Sequence, residues 1–296
     1  MLYDLCCIGH ITIDKVVSPA GTVVMPGGTS FYFANAVAGL NASFKLITAL
    51  APEDVYAVKR LQERDIDVDA HPSAHTLFFE NIYGADTDHR VQRVLQTADP
   101  FTLEQVKDID AFVVHAGPLL ANDISSTILR QLASQTKVSL DVQGFLRKVE
   151  NYNVVAVDWL EKMEVLPHIE FLKANEEELA VITEQPDIET GAKQLQQWGA
   201  KEVIITLGSK GSMVYSGNDT YTIPAFVPET LLDATGCGDT YMAGYLHKRS
   251  KGCGIQEAGE FAAAMATLKL QQSGPFLGTE AEVNALLALA KQPVAK

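Results

Sequence analysis

Short, near-continuous apolar runs alternate with longer amphipathic segments along the chain, and this alternation constrains the fold more than any other feature of the sequence. The runs lie at 2–9, 44–50, 111–115, 137–141, 169–174 and 202–207. Their apolar character suits strands buried on both faces, as in a parallel sheet covered by helices. Helical spacing of apolar residues occurs at 29–40, 53–64, 122–134, 176–183, 188–198, 236–248, 255–271 and 279–290. The pattern predicts an α/β fold, a doubly wound, mostly parallel sheet sandwiched by helices. No repeat, low-complexity tract or Pro/Gly linker cuts the 296 residues, so 1–296 is expected to be a single domain.

Two stretches break the rhythm, 11–26 and 76–97. In the second, Thr76 to Tyr83 and Arg90 to Thr97 flank the turn-rich Gly84-Ala85-Asp86-Thr87-Asp88, which reads as a hairpin too polar for a central parallel strand. Together the two stretches are expected to form a small β lid inserted in the domain. Asn81, Tyr83 and Arg90 are its candidates to touch a substrate or a second subunit.

The charge balance excludes some functions. With 23 Lys and Arg against 37 Asp and Glu, the net charge of −14 argues against a nucleic-acid partner while leaving room for local anion sites. The longest apolar runs are strand-length, too short to span a bilayer, so no membrane partner is expected. Met1-Leu2-Tyr3-Asp4-Leu5 has no basic segment before an apolar stretch, which predicts a cytoplasmic protein. Cys6, Cys7, Cys237 and Cys253 show no CxxC spacing and are read as reduced thiols.

The chemistry is concentrated in 233–244, Asp-Ala-Thr-Gly-Cys-Gly-Asp-Thr-Tyr-Met-Ala-Gly. Ala234, Thr235, Gly236, Cys237 and Gly238 run straight into an amphipathic segment, so successive backbone N–H groups can converge on one anion at a helix N-terminus. Asp239 stands at the mouth of that anion hole. A carboxylate there would repel phosphate unless its task were to take a proton from an attacking hydroxyl, which points to phosphoryl transfer. The alternative reading makes Asp233 or Thr235 an N-cap and the glycines mere helix-entry punctuation. Other nucleotide motifs fail: there is no G-x-x-x-x-G-K-[ST], and Tyr241 stands where a dinucleotide fingerprint needs its third glycine. His71 and His75 lack an HExxH context, so no zinc site is expected.

The segment DATGCGD resembles the D-T-x-G-A-G-D signature of the ribokinase, or PfkB, family of small-molecule kinases, with Ala234 and Cys237 departing from the commonest residues. Gly9, Asp14 and Pro26-Gly27-Gly28 resemble the family's N-terminal substrate region. Asn175-Glu176-Glu177-Glu178 resembles its N-x-x-E element, and Thr206-Leu207-Gly208-Ser209-Lys210-Gly211 its nucleotide-side strand and turn. The resemblance implies a ribokinase-like fold and an ATP-dependent phosphotransferase with an alcohol group as acceptor.

By this resemblance Asp239 is the catalytic base, and the backbone from Ala234 to Gly238 neutralises charge on the transferred phosphoryl group. Asn175 and Glu178 would order Mg²⁺ through its water shell. Asp14, Gly27 and Gly28 would bind the acceptor. Thr206, Gly208, Gly211, Ala263 and Thr267 would contact ATP, and the region of Asp233, Thr235 and Ser273-Gly274 is where some relatives hold a monovalent cation such as K⁺. Many members carry Asn five positions after the first glycine, whereas here Tyr32 stands there and Asn35 follows three residues later.

Asp141, Gln143 and Arg147 follow a predicted buried strand, where loop residues face the ligand crevice of an open α/β sheet. Their pattern resembles D-x-N-x-R in sugar and sugar-acid kinases and the D-x-Q-G-x-x-R form of inositol-kinase-like members, the second of which favours an inositol-type acceptor. A nucleoside kinase of the same family, or a sugar-binding regulator that has lost turnover, are the competing expectations. The chain is expected to be a monomer or a lid-mediated homodimer.

Overall fold

The computed structural model describes residues 2–19, 21–83 and 90–290, with only the backbone of Tyr83 and Arg90. Among these residues the central sheet has nine strands. Their spatial order is Asp219–Ile223, Ser212–Ser216, Glu202–Thr206, Phe171–Asn175, Lys137–Asp141, Ala111–Ala116, Tyr3–Ile8, Phe44–Leu50 and Asp67–Pro72. All strands from Glu202–Thr206 to Asp67–Pro72 run parallel, and the first two close one edge as an antiparallel hairpin. The predicted sandwich is the observed architecture.

Both faces are covered because side chains alternate across each strand. Leu5 and Cys7 pack on one side with the helices Thr29–Ala38, Cys237–Ser250 and Ile255–Leu270. Cys6 and Ile8 pack on the other with Ser126–Ala133, Glu176–Thr183 and Ile188–Gln197. The helix expected over 53–64 is split into a 3₁₀ turn at Pro52–Asp54 and a helix at Tyr56–Gln62, since Pro at the first helical position sets the entry. The helix expected from 122 starts at Ser126, where the Ser125 hydroxyl accepts the Ile128 N–H.

A second sheet of six strands stands outside the first, in the order Arg147–Glu150, Asn153–Ala156, Arg90–Gln96, Leu77–Tyr83, Thr12–Ser18 and Gly21–Gly27. The described residues of both irregular stretches supply its strands Thr12–Ser18, Gly21–Gly27, Leu77–Tyr83 and Arg90–Gln96. It also contains a hairpin that sequence patterning does not show, 147–156, turned by Asn151 and Tyr152 at φ 48° and 66°. Two consecutive left-handed residues are what a tight two-residue hairpin turn requires. Leu77, Phe79 and Val94 pack one face of this sheet on Leu119 and Leu120. Glu80 links three strands by accepting from Lys15 Nζ at 2.9 Å and Arg93 at 3.4 Å. The turn 84–88 lies outside the described residues.

Candidate active site

Because the inner strands are parallel, their carboxyl ends share one edge, and the polar cluster forms there. Asp141 and Asn175 are each the last residue of their strands. Asn175 caps the helix Glu176–Thr183 reciprocally: its Oδ1 accepts the Glu178 N–H and Glu178 Oε2 accepts the Asn175 N–H, both at 2.8 Å. Between them, Lys173 occupies a position that alternation would give to a core side chain. Its Nζ lies 2.9 Å from Asp141 Oδ2 and 3.6 Å from Glu178 Oε2. Gln143 completes the ring, its N–H donating to Asp141 Oδ1 at 3.0 Å and its side-chain amide to Glu178 Oε1 at 3.3 Å. Burial works against the Lys173 ammonium, but Asp141 and Glu178 outweigh it and hold the amine charged, above its usual range.

Asp239 lies in the first turn of Cys237–Ser250. Burial pushes its carboxyl up to about 7, helped by the negative charges of Asp141 and Glu178 and opposed by Lys173 and a hydrogen bond from Thr29. A carboxyl with this pKa is poised to accept a proton near neutrality. Thr29 is itself wedged in place, since a Cβ on Gly117 would lie 2.3 Å from its Cγ2.

The segment 234–238 forms a cradle at this helix start. Gly236 is left-handed at φ 76°, and a Cβ there would fall 2.2 Å from Tyr32 Cδ1. Cys237 N–H is turned back on Ala234 O at 3.2 Å and Thr240 N–H on Gly236 O at 2.9 Å. The first-turn N–H groups of Gly238 and Asp239 have no intrahelical partner by the geometry of a helix start, so they face the mouth of the cradle. A Cβ on Gly238 would stand 3.5 Å from Lys173 Nζ, so the buried ammonium lies directly behind the cradle. Burial pushes the Cys237 thiol up to about 12, so it adds no negative charge there.

On the acceptor side, Asp14 is buried and its Oδ1 accepts from Thr12 Oγ1 at 2.7 Å. Gly27 passes beneath it, where a Cβ would be 2.3 Å from Asp14 Oδ2, and Gly28 at φ 87° leaves no room for one against His10 O. Asn35 faces elsewhere: its Oδ1 accepts from Arg64 at 2.7 Å and its amide donates to Phe31 O at 2.9 Å. Tyr32, in the place of the usual Asn, backs Gly236 instead. Arg147 opens the first strand of the small sheet in register with Ala156, so residues 141–147 run from the Lys173 cluster to that sheet.

On the opposite side, Thr206 ends its strand in register with Asn175, and the turn 207–211 is closed by Leu207 N–H to Gly211 O at 2.8 Å. Gly208 is left-handed and open to solvent, whereas a Cβ on Gly211 would strike Ile223 O at 2.1 Å. Ala263 and Thr267 are buried in Ile255–Leu270, with Thr267 Oγ1 bonded to Ala263 O at 2.9 Å and Phe226 O at 3.4 Å.

Among the described residues no group of three or more His, Cys, Asp or Glu is arranged to hold a metal ion. Glu178 would meet Mg²⁺ carried in on phosphates only through water, since its Oε1 already accepts from the Gln143 amide at 3.3 Å and its Oε2 from the Asn175 N–H at 2.8 Å. Asn175 Oδ1 is taken by the cap and positions Glu178. An inorganic monovalent cation does not fit at Asp233, because the Lys269 ammonium is already there, 2.8 Å from Asp233 O and 3.3 Å from Asp233 Oδ2.

A helix-covered parallel sheet with an outlying small sheet, and a glycine cradle leading into an acid of raised pKa, is the architecture of a ribokinase-like small-molecule kinase. Residues 5–281 match the model of the pfkB family carbohydrate kinases, and the chain belongs to that family. The cytidine kinase of Thermococcus kodakarensis is 29% identical over 263 residues, covering 86% of this chain and 92% of the relative. A pyrophosphate-dependent kinase in the ribokinase family, solved with a pyrophosphate analog and myo-inositol, superposes with a TM-score of 0.84 at 27% identity over 95% of this chain and 99% of the other. Arabidopsis thaliana ribokinase, solved with ribose and ATP, shares the fold with a TM-score of 0.78 at 22% identity, over 97% and 99% of the two chains. This protein is therefore a sugar or nucleoside kinase of the ribokinase family.

Lys173 and Thr29 are absent from the sequence-based site. Lys173 had a signal: a lysine inside an otherwise apolar strand, two residues before Asn175, needs a buried partner. Thr29 had none beyond following Gly28.

Proposed function

We propose that the chain is an ATP-dependent kinase that phosphorylates a hydroxyl of a cyclic polyol, of which an inositol is the first choice. The observation that carries the reading is Asp239, a carboxyl with a pKa of about 7 at the mouth of the 234–238 cradle. The acceptor O–H gives its proton to the Asp239 carboxylate as its oxygen bonds to the γ-phosphorus, and the bond from that phosphorus to the bridging oxygen of ADP breaks. Backbone N–H groups of the cradle meet the charge on the transferred group, with the Lys173 ammonium behind them. Bound Mg²⁺ would neutralise donor phosphates, with Glu178 holding its water shell. Asp14 takes acceptor hydroxyls, and Gln143 and Arg147 shape the acceptor side of the loop 141–147. Thr206, Gly208, Gly211, Ala263 and Thr267 form the side that receives the nucleotide.

The small sheet acts as the lid, excluding water that would otherwise receive the phosphoryl group. Its exposed Val24 and Val91, which the register puts on the face opposite Asp14, support pairing with a second copy over that sheet. No helix among the described residues is long and apolar enough to cross a membrane.

Two finer readings have specific support. The likeness to the cytidine kinase favours a nucleoside acceptor, and the likeness to the kinase solved with a pyrophosphate analog favours pyrophosphate as donor. The test is a matrix of ATP and pyrophosphate against inositols, hexoses, sugar acids and nucleosides. Turnover of an inositol with ATP supports the proposal; preferential turnover of cytidine, or of pyrophosphate, replaces that half of it. Calorimetric sugar binding with no phosphorylated product for any pair would make the chain a binding regulator instead.

A further inference from the structure

Lys269 is a lysine with no exposed surface at the end of Ile255–Leu270. A buried ammonium persists only where its protons are met. Here Nζ has three oxygens in reach for three protons: Asp233 O at 2.8 Å, Asp233 Oδ2 at 3.3 Å and Gln272 O at 3.3 Å. Two main-chain carbonyls and a carboxylate make the kind of oxygen cage that takes a large monovalent cation. The same Asp233 carboxylate accepts Thr235 N–H at 2.9 Å and Gly274 N–H at 3.1 Å. One charged node thus joins the end of one helix, the chain turn after it and the segment that enters the 234–238 cradle. Leu232 N–H donating to Leu270 O at 2.8 Å anchors the same entry from the other side.

We propose that the Lys269 ammonium is a covalently attached substitute for a monovalent cation, fixing Asp233 so that the cradle keeps its anion-binding shape and making the enzyme independent of potassium. Lys269 is a positioning residue: it acts on the phosphoryl group only through Asp233, Thr235 and the backbone that follows. The inference rests on the kinase reading of that cradle. In chemical terms, removing the ammonium leaves a caged carboxylate and two carbonyls that an added ion of similar size and charge can satisfy.

The test compares wild type, Lys269→Ala and Lys269→Met in choline chloride, NaCl, KCl and methylammonium chloride at one ionic strength. Wild type is expected to show the same kcat and the same melting temperature in all four salts. Lys269→Ala should lose about 100-fold in kcat in choline, the scale that misplacement of a site can cost, with the acceptor KM little changed. KCl or methylammonium should restore about tenfold or more and raise its melting temperature, because these ions bind the folded cage alone. Lys269→Met fills the cavity with an uncharged chain and should resist rescue. Several-fold activation of wild type by KCl, or a melting temperature of wild type that rises with KCl, overturns the proposal. So does a Lys269→Ala protein that keeps wild-type kcat in choline. If both variants fail to fold, the wild-type salt series still decides. If no acceptor turns over, the kinase reading has failed, and the melting temperatures test the cage by themselves.

Discussion

The ring of Tyr32 lies so close to Gly236 that a β-carbon on the glycine would fall 2.2 Å from Tyr32 Cδ1. An aromatic wall on one helix therefore dictates the absence of a side chain at the start of another. Gly236→Ala meets two obstacles, the left-handed φ of 76° and the ring. The backbone term alone costs about 1–2 kcal/mol. Urea unfolding should show at least that loss, and kcat should fall about 100-fold as the cradle shifts. Adding Tyr32→Ala should make the double variant more stable than the two losses summed, since the collision is gone while the backbone strain stays.

Asp239→Asn should separate activity from stability. General-base catalysis contributes about 10²–10⁴, so turnover should fall by at least 100-fold. The carboxyl is raised from its usual value to about 7, so the folded chain binds a proton that the unfolded chain has released. Wild-type stability from this group is complete below about pH 4 and is lost as pH rises through 7. Asn resembles the protonated acid. The variant should melt above wild type at pH 8, and the gap should narrow towards pH 4. A lower melting temperature than wild type at pH 8 would contradict the strained carboxylate.

Lys173→Met removes the charge that lowers the pKa of Asp239 and balances Asp141 and Glu178. The acid limb of the kcat/KM profile should move to higher pH. Breaking a buried ion pair costs about 3–5 kcal/mol, so denaturant unfolding should also show a large loss. A profile that keeps its wild-type acid limb would detach Lys173 from the base.

Asp14→Ala tests the acceptor side. A charged hydrogen-bonding group contributes about 1.5–3 kcal/mol. The acceptor KM should therefore rise by about 10- to 100-fold while the donor KM stays unchanged. Equal rises in both would place Asp14 in the general architecture of the small sheet and not against the acceptor.

The central sheet was legible because full burial writes itself as unbroken apolar runs; 44–50, 137–141 and 202–207 are strands within a residue of the reading. Ser212–Ser216 and Asp219–Ile223 were not read, since an edge hairpin alternates with exposed polar residues such as Asp219 and Thr220. The hairpin 147–156 hid for the same reason, with Lys148, Glu150 and Asn153 facing solvent. At the site, glycines were legible because backbone constraint is local. Lys173 left only the signal of a charge inside an apolar strand, and the place of Tyr32 behind Gly236 left none, because both roles depend on which distant strand or helix lies opposite.

The small sheet is assembled from three excursions, 12–27, 77–96 and 147–156, with strand and helix units of the main body between them. Its parallel pairing of Thr12–Ser18 with Leu77–Tyr83 joins residues 65 apart, as in Lys15 and Glu80. Chain closures of that length bring little reward until the main body has already gathered their ends. The sheet should therefore form last in refolding and open first in native-state hydrogen exchange, as a sub-global unit resting mainly on the Leu77, Phe79, Val94, Leu119 and Leu120 cluster. Asp14, on that sheet, and Asp239, on the main body, thus belong to regions of different stability: mild denaturant should abolish acceptor affinity while the fold that carries the base is still intact.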